Sequence, residues 1–380
     1  MRLLHTADWH VGKAIGGRSR ADEHEAVLAE IADIARREKV DVSIVAGDLF
    51  DTAAPSPESE RIVYRSLLEL ARHAPVVVVP GNHDSDRRLA AIAPLLDLAE
   101  VNVRCFVERD SIELTTQTGE ALRLALIPWL SQRYIVKAAE LMAKDAGDLT
   151  GQFSSRMRSI VTALTEGFSA DAVNVVVGHM TIAGGELGGG ERTAQTIFDY
   201  WVDPTIFPNT AHYVALGHLH KAQQMAGPCP IHYCGSPMQL DFSDKQEAKG
   251  VLVVDATPGA PATVRTVPIA SGRKLRTLAG TIAELTSMVG TADDAYLRIL
   301  VNESARVGLG DEVRELFPSA VKVIIDHDDP KVVKPGRSDR ATTSPHDLFT
   351  EYLAERDIDD PRLVALFDEL YEEAHAPHPA

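Results

Sequence analysis

Five times within the first 220 residues, an apolar run of strand length ends directly in a short polar motif. The motifs are Asp8-Trp9-His10, Gly47-Asp48, Gly81-Asn82-His83-Asp84, Gly178-His179 and Gly217-His218-Leu219-His220. The runs ahead of them are Leu3-Leu4, Val42 to Val45, Pro75 to Val79, Val173 to Val177 and Tyr213 to Leu216, with a further run at Leu122 to Ile127. Continuous apolar runs read as strands buried on both faces. Helical periodicity fills the first two intervals. His24 to Lys39 carries Val27, Leu28, Ile31 and Ile34, and Glu58 to Arg72 carries Ile62, Leu67, Leu68 and Leu70. This rhythm predicts a layered α/β domain, in which polar residues at the carboxyl ends of strands gather along one ligand-binding edge.

Taken singly the motifs mean little, since a polar residue after a strand is more often a turn or cap. Together, His83 and Asp84 apart, they supply two aspartates, one asparagine and four histidines, the O and N donors that two adjacent divalent ions need when one carboxylate bridges them. Ions so held lower the pKa of water, clamp phosphate oxygens and stabilise a leaving oxygen, so the expected reaction is in-line attack on a phosphodiester. His5, His24, His73, His212, His232 and His327 lie outside the motifs and default to structural roles.

The rest of the chain bounds the reading. Its 380 residues allow a large core and a smaller satellite. No apolar run approaches a membrane span, and with the first strand expected from Leu3 on, no leader is expected. Cys105, Cys229 and Cys234 suit a reducing cytoplasm without disulfides. The net charge of −17 is unusual for a nucleic-acid binder. Part of it is local, with about ten acidic residues between Asp347 and Glu373. Metal-binding carboxylates account for another part.

Later runs (Ile231 to Cys234, Gly250 to Asp255, Ala262 to Pro268) lack intervening helices and suggest hairpins, the last turning at Thr257 to Pro261. Past Ser271 a compact α+β unit is expected, with helices at Ile282 to Val289 and Gly310 to Phe317 and strands at Ala295 to Asn302 and Val321 to Asp326. A polar linker and two amphipathic helices follow. The first helix carries Leu348, Phe349, Tyr352 and Leu353; the second carries Leu363, Leu366, Phe367, Leu370 and Tyr371.

In order and spelling, D-x-H, G-D, G-N-H-D, G-H and G-H-x-H resemble the calcineurin-like metallophosphoesterase superfamily. Longer stretches are similar to the SbcD family of nuclease subunits: Leu3 to Gly12, Ala46 to Thr52, Tyr233 to Phe242 and Lys249-Gly250. The resemblance implies a layered metallophosphoesterase β-sandwich with flanking helices at 1–270, a capping domain at 271–337, a linker at 338–344 and a partner-binding helix-turn-helix at 345–376. One ion would be held by Asp8, His10, Asp48 and His220, the other by Asp48, Asn82, His179 and His218. Mn²⁺ is the first choice, with Mg²⁺ and Fe²⁺ as alternatives. His83 would position phosphate and protonate the leaving oxygen, with Asp84 orienting its ring. Asp51 stands where archaeal and eukaryotic relatives carry a histidine, so that histidine's assisting role is not carried over.

The same resemblance implies 3′→5′ exonuclease and single-strand or hairpin endonuclease activity on DNA, an SbcC-type ATPase partner docked on the two C-terminal helices, and a homodimer through the faces of Glu58 to Arg72 and Arg87 to Leu98. Lys13, Arg18, Arg20, Arg87 and Arg88 are candidate phosphate contacts. The plainer alternatives are solvated loops for these cations, core positions for the helical stripes, and C-terminal helices that fold back on their own chain. A stand-alone nucleotide phosphodiesterase and a non-catalytic scaffold are the rival functions.

Overall fold

The computed structural model describes residues 1–108, 111–116, 119–130, 146–191, 201–244 and 248–325, with Phe349, Leu353, Leu363, Val364, Leu366 and Phe367 beyond them. The β-branched runs form the strands β1 (Arg2–Thr6), β2 (Val42–Ala46), β3 (Val76–Val79), β4 (Val101–Val103), β5 (Ile112–Thr115), β6 (Ala121–Ile127) and β7 (Val173–His179). After them come β8 (Thr181–Ile182), β9 (Trp201–Val202), β10 (Tyr213–Gly217), β11 (Gln223–Met225), β12 (Ile231–Tyr233), β13 (Gly250–Thr257) and β14 (Ala260–Pro268).

Two six-stranded sheets result. One has the order β14-β13-β1-β2-β3-β4 and the other β11-β12-β10-β7-β6-β5. The strands β1 to β3 run parallel, as do β6, β7 and β10. Every motif therefore leaves its strand at the carboxyl edge. Leu3, Val42, Ile44, Val77, Val175 and Tyr213 belong to the dry layer between the sheets.

The outer face of the first sheet is covered by α1 (Ala21–Glu38), α2 (Pro57–Ala71) and α3 (Asp86–Asp97). Ser56 caps α2 by accepting from the Ser59 N–H, and Pro57 supplies a preset first turn. On α1 the predicted stripe is buried. On α2 the predicted stripe needs one correction: Ile62, Leu67 and Leu70 are buried, but Leu68 is 42% exposed. Neighbouring helical residues lie about 100° apart, so Val63 takes the inward place and Leu68 joins Leu95 and Leu98 of α3 at the surface. A longer helix, α4 (Ala146–Thr165), presents Phe153, Met157, Val161 and Leu164 to the second sheet.

The expected turn at 257–261 closes the β13–β14 hairpin. Ile231 to Cys234 is not part of that hairpin. It enters the other sheet, parallel to β10 and antiparallel to β11, a strand too short and polar to register in the sequence. A parallel three-stranded sheet follows, β15 (Leu275–Gly280), β16 (Tyr296–Val301) and β17 (Ala320–Ile325), with α5 (Ile282–Ser287) and α6 (Leu309–Leu316). Leu285, Ile299, Val301, Leu309, Val313 and Phe317 give it a core of its own. A capping box between Thr281 and Glu284 starts α5.

Met1–Asp326 forms one compact unit and His327–Ala380 a second. In the second, the rings of Phe349 and Phe367 stack at 4.3 Å, Leu353 is buried, and Leu363 and Leu366 are exposed. Leu348, Tyr352, Leu370 and Tyr371, and the linker at 338–344, lie outside the described residues. Among the described residues no helix is long and apolar enough to cross a membrane.

Candidate metal centre

Tight packing between the sheets brings the five motif loops to one point. The carbonyl of Ala46, at the end of β2, accepts from Nδ1 of His179 at 2.8 Å, which turns Nε2 of that ring into the centre. A Cβ on Gly81 would lie 2.2 Å from Oδ1 of Asp48, and one on Gly47 would lie 2.2 Å from the His179 ring. No other residue type fits at these two contacts. Asp8, His10, Asp48 and His218 all have positive φ, between 48° and 105°. Such backbone is strained for residues with side chains and is kept where surrounding structure imposes it.

Each aspartate is used twice. Asp8 Oδ1 accepts the His218 backbone N–H at 2.9 Å, while Oδ2 is buried with no hydrogen-bond partner. Asp48 Oδ1 accepts the His83 backbone N–H at 2.8 Å, while Oδ2 lies 3.5 Å from His10 Nε2 and 3.4 Å from His179 Nε2. Asn82 Oδ1 lies 3.0 Å from His179 Nε2 and 2.8 Å from His218 Nδ1. His10 Nε2 and His220 Nε2 approach to 3.1 Å, and His220 donates from Nδ1 to the Gly189 carbonyl. Among the described residues, donor atoms lie within 4.8 Å of one another in three overlapping groups: Asp8, His10 and His220; His10, Asp48 and His83; and Asp48, His179 and His218.

An unpartnered buried carboxylate oxygen facing imidazole nitrogens fits a divalent cation, and carboxylate, amide and imidazole donors suit a first-row ion. The structure thus brings together all seven residues singled out as ligands.

Electrostatics point the same way. Burial raises Asp8 to about 6, with Asp48 adding to the rise. Burial works against ionised Asp48 too, but His179, His10 and His83 outweigh it and hold this carboxyl well below the usual range. His179 is correspondingly raised to about 9: burial favours its neutral form, and the Asp48 charge overturns that. Burial lowers His10 to about 4, and burial with the neighbouring His179 charge keeps His218 neutral. Neutral His10 and His218 and ionised Asp48 are in the protonation state that cations require, while His179, which the Asp48 charge keeps protonated, has to give up its proton to a bound cation.

His83 packs edge-on against His10, with ring centroids 4.5 Å apart. Its Nδ1 donates to the backbone carbonyl of Asp51 at 2.7 Å. That carbonyl orients the ring, where the sequence suggested Asp84. Asp84 instead accepts three backbone N–H groups, from Gly81 and Leu49 on Oδ2 and from Phe50 on Oδ1, and so ties the second motif loop to the third. Asp51 takes a supporting place: its carboxylate lies 3.4 Å from His10 Nδ1 and 3.2 Å from Lys13 Nζ.

The candidate phosphate contacts divide. Arg20 is 2% exposed and spends its guanidinium on Glu23 and the Gln239 carbonyl, so it belongs to the interior. Lys13 is half-buried beside Asp51. Arg18 is exposed and reaches the Pro318 carbonyl, Arg88 is exposed and pairs with Glu60, and Arg87 is exposed.

Three features escaped the sequence. The Trp129 indole lies against His218, with centroids 5.0 Å apart and planes tilted by 32°, and 6.0 Å from His179. The Trp129 backbone N–H donates to the Pro80 carbonyl, next to the third motif. Glu191 and Lys249 both hold the His220 backbone. Only Lys249 carried any signal, as part of the stretch resembling a known family.

Residues 1–222 match the calcineurin-like phosphoesterase family. The chain is 35% identical over 281 residues to the SbcD subunit of the SbcCD nuclease from Bacillus subtilis (strain 168), covering 72% of this chain and 71% of that one. It is 34% identical over 279 residues to the protein of the same name from Rhodobacter capsulatus, with 68% and 67% covered. With the Escherichia coli (strain K12) protein the identity is 29% over 305 residues, with 76% and 73% covered. The chain belongs to the SbcD family of calcineurin-like phosphoesterases. It is a metal-dependent phosphodiesterase, and the acidic, imidazole-rich joint between its sheets is its candidate site for divalent ions.

Proposed function

We propose that this chain is the nuclease subunit of an SbcCD-type complex, cutting DNA with two Mn²⁺ ions as a 3′→5′ exonuclease on duplex ends and an endonuclease on single strands and hairpins. The observation that carries it is the convergence of Asp8, His10, Asp48, Asn82, His179, His218 and His220 on one buried point, in a chain whose relatives bear the name of that nuclease.

Asp8, His10, Asp48 and His220 hold one ion and Asp48, Asn82, His179 and His218 the other. When bound, the ions supply Lewis acidity toward the phosphate and toward attacking water. The chain's own residues do the rest. With Nδ1 donating to the Asp51 carbonyl, His83 uses Nε2 to hold a proton and pass it to the leaving oxygen. Asp84 keeps the loops of Asp48 and Asn82 in register. Lys13, Arg18, Arg87 and Arg88 are kept as phosphate contacts, and Arg20 is withdrawn.

The exposed Leu68, Leu95 and Leu98 support a homodimer through α2 and α3. The exposed Leu363 and Leu366 support docking of an SbcC-type ATPase on the C-terminal helices, which pack on each other through Phe349 and Phe367. Leu348, Phe349, Tyr352, Leu353, Leu366, Phe367 and Leu370 remain the proposed docking element. The division into 1–270, 271–337, 338–344 and 345–376, and a cytoplasmic, nucleoid-associated location, complete the proposal.

The test is Mn²⁺-dependent cleavage of end-labelled hairpin and single-stranded DNA by wild type, His83→Ala and Asp48→Ala. Cleavage that both substitutions abolish is the expected result. No cleavage even with the ATPase partner and ATP, while a chromogenic phosphodiester is still hydrolysed, would overturn the DNA assignment.

A further inference from the structure

His220 is held differently from the other histidines of the centre. Its backbone N–H donates to Glu191 Oε1 at 3.0 Å, and its carbonyl accepts from Lys249 Nζ at 3.2 Å and from the Ser236 N–H at 3.2 Å. Its Nδ1 donates to the Gly189 carbonyl at 2.9 Å, and the Gly189 peptide is fixed in turn by Glu191. Oε1 of that carboxylate accepts from Gly188 N at 2.6 Å, and Oε2 accepts from Gly189 N at 2.7 Å. Lys249 is 7% exposed, donates to Ser236 Oγ at 3.0 Å and pairs with Asp244, itself 5% exposed, at 2.6 Å.

Two opposite charges, Lys249 buried and Glu191 half-buried, thus grip the two polar groups of the His220 backbone, and Glu191 also builds the loop that fixes its tautomer. Among the described residues no pair of charged side chains holds the backbone of His179 or His218 in this way. His179 rests on the Ala46 carbonyl, and His218 rests through its N–H on Asp8.

We propose that Glu191 and Lys249 are positioning residues that set His220 for cation binding, so that they govern occupancy of the ion site formed by Asp8, His10 and His220 and leave the site of His179 and His218 unaffected. The physical reason is selective orientation. A metal-ligating imidazole needs its far nitrogen and its backbone fixed, and loss of such supports typically weakens metal binding about 10–100-fold. Charged partners in a dry setting hold a peptide group more firmly than neutral ones. Neither residue touches the reacting atoms, so both act through His220. Their sequence spacing of nearly sixty residues is that of tertiary neighbours, not of a motif.

This inference rests on the two-ion reading above, and the test separates the two. Mn²⁺ binding to the full-length chain is followed by calorimetry, with electron paramagnetic resonance distinguishing a spin-coupled pair from isolated ions. Three proteins are compared: wild type, Glu191→Gln, and the double variant Lys249→Met/Asp244→Asn. The double variant avoids leaving Asp244 as an unpaired buried charge, and Glu191→Gln carries the test on its own should it not fold.

Two ions in wild type, with one of them bound about 10–100-fold more weakly in each variant and the coupled signal replaced by an isolated one, is the expected result. Excess Mn²⁺ should then restore turnover. Unchanged binding in a folded variant, or equal weakening of both ions, overturns the positioning role. A single ion in wild type overturns the two-ion reading itself.

Discussion

Asp84 offers a direct way to separate a structural clamp from a catalytic partner. Its carboxylate accepts from Gly81 N at 2.9 Å, Leu49 N at 3.2 Å and Phe50 N at 3.0 Å. Alanine at this place would leave three N–H groups without an acceptor in a loop junction whose residues are buried. Each orphaned donor costs about 1–3 kcal/mol, and water entering the gap recovers part of that, so a loss of about 3–6 kcal/mol is expected. That is a large share of the roughly 5–15 kcal/mol that typically separates native from unfolded chains. Asparagine keeps one acceptor oxygen, which Gly81 and Leu49 can share, and orphans Phe50 alone, for a loss of about 1–3 kcal/mol. Urea denaturation in EDTA, followed by circular dichroism, measures both. Cation affinity should fall alongside stability, because Asp84 holds the Asp48 loop against the Asn82 loop. The reasoning fails if Asp84→Asn has wild-type stability and cation affinity but shifts the pH–rate profile as a His83 substitution does. Asp84 would then act on the imidazole, as the sequence alone suggested.

Two further perturbations test the packing of the centre and of the core beneath it. Gly81→Ala places a methyl group 2.2 Å from Oδ1 and 2.4 Å from the backbone N of Asp48, so Mn²⁺ affinity measured by calorimetry should drop by at least about 100-fold; wild-type affinity would sink this account of the glycine. His5 is fully buried between the sheets, hydrogen-bonded to the Tyr213 hydroxyl at 2.8 Å, and lowered by burial from 6.5 to about 3. Its neutral form is shared by folded and unfolded chains above pH 6.5; below that only the unfolded chain takes up the proton, so stability is lost as pH falls from 6.5 toward 3. Between about pH 7 and 4.5 wild type should lose about 2–3 kcal/mol more than His5→Leu in urea denaturation, and equal losses would refute the linkage.

The five motifs were legible because cation chemistry restricts residue type and the turn after a strand restricts spacing. Asp8, His10, Asp48, Asn82, His179, His218 and His220 could all be named before any contact was known. The buried stripe of α1 and the β13–β14 turn were legible for a similar reason, since periodicity and turn chemistry are local. Partners chosen across the fold were not. Ile231 to Tyr233 does form a hairpin, with β11, but only its pairing with β10 assigns it to the second sheet. Leu68 sits within an apolar run, and only the packing of α2 turns it outward. Arg20 lies in a Gly-rich loop where a phosphate contact was reasonable, yet Glu23 and Gln239, brought together by the fold, take it inside. Glu191, Trp129 and the pairing of Asp244 with Lys249 had no local signature because each is defined by what it touches.

The legible residues and the hidden ones do different work, and the backbone of the centre shows why both are needed. Asp8, His10, Asp48 and His218 carry φ values of 54°, 48°, 52° and 105°. At about 1–3 kcal/mol each, such conformations would relax in an isolated loop. They persist because the loops are bound to one another. Asp8 N–H donates to the Gly47 carbonyl and His10 N–H to that of Asp48, and Asp84 and the Ala46 carbonyl add their links. The β1-β2-β3 and β7-β10 strands fix where those loops start. The proposed cation ligands are therefore aimed by residues outside the ligand set, and the free energy that keeps them aimed comes from the packed layer between the sheets. On this view substitutions at Gly47, Gly81, Asp84, Glu191 or Lys249 should resemble loss of a ligand more closely than loss of a core side chain.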